Sequence, residues 1–155
     1  MTFLLSEQPI LRLTYDVKDI SILDLSLVES IKVLKDGRVF SHMAERILLK
    51  SFPNLSIGKT IKDFGNIVDT LGNRYELRIH TKSGCSLLPS SQKGIGRVQQ
   101  LDVYKSKLSD IKGYFIINIL DFPTIQIFYV DSKKLLQKTS ISRIKITIDD
   151  QCYGT

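Results

Sequence analysis

The residues best suited to chemistry stand in one run, Asp69-Thr-Leu-Gly-Asn-Arg-Tyr-Glu76-Leu-Arg78: an acid, a six-residue gap, a second acid, one residue and a cation. Two carboxylates on neighbouring strands suit a hard divalent cation, which takes oxygen ligands, keeps some of its waters and polarises a phosphate. A guanidinium two residues beyond the second acid shares its side of a strand, where it meets negative charge developing on an attacked phosphate. If Leu71-Gly72 makes a two-residue turn, Asp69 pairs with Arg74 and Ile67 with Glu76. Asp69, Glu76 and Arg78 then share one face, and Tyr75 and Leu77 take the other. A turn one residue longer brings Asn66 beside Glu76 instead, because a one-residue slip exchanges the faces. Asp63 is a further acid nearby.

With this hairpin the chain resembles the PD-(D/E)XK nuclease family. That family's pattern is an acid, a short spacer and acid-any-lysine on the next strand of a hairpin, in many members with a glutamate on a preceding helix. The resemblance covers roughly residues 41–130. It implies a restriction-endonuclease-like core and a sequence-specific DNA endonuclease, of homing or type II restriction type, that hydrolyses phosphodiester bonds with Mg²⁺. Asp69 and Glu76 would hold the metal, and Glu45 would assist. Arg78 stands where the family has lysine. Arginine keeps the charge but does not readily give up a proton, so Lys82, on the same face of a straight strand, is the alternative cation. Duplex DNA would be the substrate, a homodimer or homotetramer the assembly, and the cytoplasm, at the nucleoid, the location. Two rivals stand beside this reading: a catalytically degenerate DNA-binding protein of the same fold, and a basic domain that meets an acidic protein.

Charge distribution adds a second signal. Net charge is +6, and between Arg74 and Lys112 eight Lys/Arg face three acids. Residues 83–97 carry glycines, serines and a proline, and read as a loop. Lys82, Gln92, Lys93, Arg97 and Lys105 are the expected DNA contacts, since lysines bind phosphate while Gln and Arg also read base edges. Gly94 and Gly96 do not complete a dinucleotide fingerprint. His42 and His80 lack metal-pair spacing and read as surface or packing residues.

The elements that must position these residues follow from periodicity. Ser26 and Glu29 form a capping-box pattern opening a helix over 26–35, ended at Asp36-Gly37. A second helix is expected over 41–51, capped by Ser41, with Met43, Ala44, Ile47 and Leu48 as its apolar stripe. Strands are expected at 9–15, 65–69, 74–82, 98–105, 113–120, 125–130 and 141–149, with a short helix at 132–138. GYFIINIL at 113–120 is apolar throughout, as in a strand buried on both faces. The sum is one α/β (α+β) domain over 1–155, a mixed central sheet with flanking helices. The chain's 155 residues suffice for a core without staples. Cys85 and Cys152 form neither a CxxC motif nor a Cys/His cluster, and no apolar run is long enough for a membrane span.

Overall fold

The computed structural model describes residues 2–5, 8–59, 67–87, 101–138 and 145–148. In chain order its elements are β1 (Thr2–Leu5), β2 (Leu11–Thr14), α1 (Leu27–Leu34), α2 (Gly37–Ser51), β3 (Leu55–Ile57), β4 (Ile67–Asp69), β5 (Arg74–His80), β6 (Cys85–Ser86), α3 (Leu101–Asp110), β7 (Gly113–Asn118), β8 (Thr124–Asp131), α4 (Ser132–Lys138) and β9 (Lys145–Ile148). Six strands form a mixed sheet in the order β2-β8-β7-β5-β4-β3, in which β5 and β7 are parallel and every other pair is antiparallel. A second sheet has the order β1-β9-β6.

Side chains alternate along each strand, so the large sheet has two distinct faces. On one, Tyr75, Phe115, Ile117 and Ile127 join Leu34 of α1 and Phe40, Ala44 and Leu48 of α2 in a single buried cluster. Tyr75, Phe115 and Tyr129 meet ring to ring there, at 5.2 Å and 5.4 Å between centroids. On the other face Tyr114, Ile116, Phe128 and Val130 are buried, as are Leu108 of α3 and Leu135 of α4. All six residues of β7 are buried, as an uninterrupted apolar run requires. Gly113 begins that strand because nothing larger fits: a Cβ there would lie 2.5 Å from the Val130 carbonyl and 2.6 Å from the Tyr129 hydroxyl.

The first helix is capped as its sequence predicts. The Ser26 hydroxyl accepts from the Glu29 amide, 3.2 Å, and the Glu29 carboxylate accepts from the Ser26 amide, 2.9 Å. The second departs from expectation. Its N-cap is Asp36 rather than Ser41, and it begins four residues early, at Gly37. Asp36 accepts from the Arg38 amide at 2.9 Å, so the residues expected to end one helix also start the next. Ser41 lies inside α2, its hydroxyl donating to the Arg38 carbonyl. The strand expected at 98–105 is also corrected, because residues 101–110 form α3. The short strands β1, β3 and β6 lie where no strand is expected, β6 inside the loop expected over 83–97.

Candidate functional site

The β4–β5 hairpin decides which residues can work together. Its register pairs Ile67 with Tyr75 and Val68 with Arg74. Asp69 therefore closes a three-residue loop: its amide donates to the Asn73 carbonyl, and the Gly72 amide donates to the Asp69 carbonyl, both at 3.1 Å. Gly72 has φ +84°, the left-handed position that such a loop demands. The two-residue turn is thereby corrected, and with it the common face for Asp69, Glu76 and Arg78. Asp69 lies on the Tyr75 side of the sheet, whereas Glu76 and Arg78 project from the other.

Hydrogen bonds fix what Asp69 does. Its Oδ1 accepts from the Leu71 and Asn73 amides, 2.9 Å each, and its Oδ2 accepts from the Asn73 side-chain amide, 2.9 Å, and the Tyr75 hydroxyl, 2.8 Å. Four donors, the Asn73 side chain foremost, hold its carboxyl down to about 2. Tyr75 is pushed well above its ordinary range by burial first and by the Asp69 hydrogen bond second. Burial, with the charges of Asp131 and Asp69, raises Tyr129 to about 12. Asp69 thus anchors a turn and does not face Glu76 across a cation.

Glu76 and Arg78, two residues apart on β5, form an ion pair of 2.5 Å in which both side chains are largely buried. Further along the same face, His80 Nδ1 and Asn118 Oδ1 are 3.1 Å apart, and the Asn118 amide donates to Gln126 Oε1, also at 3.1 Å. All three are buried, so these bonds satisfy groups that would otherwise be costly to remove from water. His80 is a packing residue in a polar row crossing β5, β7 and β8, in line with its sequence reading.

Glu45 does not join Glu76. It sits half-buried on α2, whose buried side chains pack against the Tyr75 face. Of Asp69, Glu76 and Glu45, only Glu76 lies on the side of Arg78. Among the described residues no group of three or more His, Cys, Asp or Glu comes together. These carboxylates therefore do not make up the Mg²⁺ site that the spacing suggested. Lys82 is not a continuation of the strand either: β5 ends at His80, and Lys82 is exposed in the Thr81–Gly84 turn. Lys105 lies on α3 and is half-buried. Asp63, Asn66, Gln92, Lys93 and Arg97 fall outside the described residues.

Sequence reasoning missed a cavity of about 940 Å³ at the end of β5. Lys32, Lys35, Arg38, Arg78 and Lys82 contribute to its lining, with Leu77, Ile79, Ile119 and Leu120 among its apolar walls. A close approach shapes it, since a Cβ on Gly37 would lie 2.8 Å from the Thr81 methyl. A glycine there lets the start of α2 sit this near the end of β5 without displacing that methyl. The helical spacing of Lys32 and Lys35 was the available signal, because residues three apart share a helix face.

Comparison with protein-family models, with curated proteins and with solved structures finds no match to this chain. No helix among the described residues is long and apolar enough to cross a membrane.

Proposed function

We propose that the protein acts on duplex DNA as a restriction-endonuclease-like nuclease, with Glu76 and Arg78 at the scissile phosphodiester. The observation that carries this reading is the side-by-side placement of Glu76 and Arg78 on one face of β5, the second strand of a hairpin that follows helix α2. An acid and a cation held together at the second strand of a hairpin are what the acid-any-cation pattern asks for. Arg78 supplies fixed positive charge, which stabilises a phosphate whose charge grows during attack. Cleavage needs a second carboxylate beside Glu76. With Asp69 on the far face, the sequence offers Asn66, a poor metal ligand, or Asp63 in its place, and Asp63 is the only acid of the two. A symmetric oligomer would present one such centre to each DNA strand.

A second reading, a DNA-binding protein of the same fold without catalysis, is favoured by the position of Asp69. One experiment separates the two. Supercoiled and linear duplexes are incubated with the protein in Mg²⁺, and binding is measured in parallel in EDTA. The enzyme reading expects cleavage that Glu76→Gln reduces at least a hundredfold while binding stays within about threefold, because affinity rests mainly on phosphate contacts. Salt-dependent binding without cleavage by the unaltered protein selects the second reading. Absence of duplex binding overturns both.

A further inference from the structure

We infer that the cavity between the α1–α2 joint and the end of β5 is a cradle for the DNA backbone, with Lys32, Lys35 and Lys82 as its phosphate contacts; this rests on the DNA-acting reading above. The charge balance is the first argument. Five cations, Lys32, Lys35, Arg38, Arg78 and Lys82, line the cavity together with one carboxylate, Asp36. That carboxylate is already engaged, by the Arg38 amide at 2.9 Å and by two nitrogens of the Arg38 guanidinium at 3.0 Å and 3.3 Å. Arg78 is balanced by Glu76. Setting those two pairs aside leaves Lys32, Lys35 and Lys82, all exposed and forming no ion pair among the described residues. Three like charges around one concavity repel one another unless an anion lies among them.

Shape and surroundings narrow the ligand. The walls of Leu77, Ile79, Ile119 and Leu120 are apolar, so charges at the rim act beside a medium of low polarity and are less screened than on an open surface. The first turn of the 15-residue helix α2 adds its positive end to the same cavity through Gly37 and Arg38. A volume of about 940 Å³ exceeds what a lone inorganic anion needs, and it accommodates a stretch of sugar-phosphate. Arg78 borders the cavity between Leu77 and Ile79, with its side chain on the opposite face beside Glu76, so the exposed lysines are what the closely spaced phosphates of a duplex backbone meet there.

The test uses the full chain, a fluorescein-labelled 20-base-pair duplex and anisotropy titrations across a NaCl series. Lys32→Gln/Lys35→Gln is compared with Lys18→Gln/Lys50→Gln, whose lysines are exposed and do not line the cavity. Each phosphate contact contributes about 0.9 to the slope of log affinity against log salt. The cavity variant is therefore expected to bind about tenfold or more weakly, with a slope shallower by about two, and the control to change by less than half as much. In parallel, acetylation of the unaltered protein should label Lys32 and Lys35 less when duplex is bound, with Lys50 unchanged, a readout independent of how any variant folds. If the protein binds duplex steeply with salt but the cavity variant matches it and Lys32 and Lys35 label as before, the cradle is wrong and the DNA-acting reading stands. If the unaltered protein binds no duplex at any salt, both fall. If polyglutamate of equal charge displaces the duplex as effectively as unlabelled DNA, the surface serves an acidic protein, and the cradle is overturned.

Discussion

At the scale of single residues, Asp69 shows how one hydrogen-bonded carboxylate can be mistaken for a ligand. Its spacing from Glu76 is readable in the sequence, but its direction depends on whether the turn spans two residues or three. That choice moves every side chain of one strand to the opposite face. The deciding signal was in the sequence: Asp69 and Gly72 occupy the first and fourth positions of a turn, where aspartate caps the loop amides and glycine takes positive φ. Because the folded carboxyl is held near 2, below the ordinary value of about 3.9 for aspartate, its stabilising effect is complete above about pH 4. The effect is lost as pH falls from there through about 2, as the unfolded chain takes up its proton first. Asp69→Asn is accordingly expected to lower the melting temperature at pH 7 and to flatten its fall between pH 4 and pH 2, measured by circular dichroism. Equal acid slopes for the two proteins would remove the anchoring role. Asp36, likewise held near 2, leaves part of that slope in place.

Among the elements, sequence reading succeeded where the pattern was long or chemically explicit and failed where two periods fit the same letters. The capping box of α1 and the apolar run of β7 were both legible. Residues 98–105 alternate well enough to suggest a strand, yet Leu101, Tyr104, Leu108 and Ile111 also recur at helical spacing. Burial of Leu108 and Ile111 accompanies the helix that formed. The short edge strand β3 has only three residues and an exposed Ile57, too little pattern to recognise. Gly113 was equally silent, because the sequence does not reveal that the Tyr129 ring crosses over it. Gly113→Ala should cost about 1–3 kcal/mol by overpacking, although alanine ordinarily improves a strand glycine. Urea denaturation followed by circular dichroism would read this as a lower midpoint, and an unchanged midpoint would mean that β8 yields freely.

For the molecule as a whole, composition gave the sign of the charge and the order of periodic segments the mixed α and β class of fold, but neither showed where the charge gathers. Folding brings Lys32 and Lys35 to Lys82, and no linear window joins residues so far apart. The same long reach governs β2. Its Thr14 meets Thr124 of β8 across 110 residues, and its side chains alternate between half-buried and exposed. As a four-residue edge strand it should open first. Hydrogen exchange in mild denaturant is expected to release residues 11–14 well before β7 or the centre of β8, and simultaneous release would contradict this. A separate consequence arises on the ribosome. At about 5–20 residues per second, β2 leaves the exit tunnel roughly 6–22 s ahead of its partner. Through that interval an unpaired strand is open to any other edge. Its shortness, Pro9 close before it and the exposed Arg12 at its middle are the features that discourage such pairing, so the nascent chain guards its earliest core strand by making that strand a poor template.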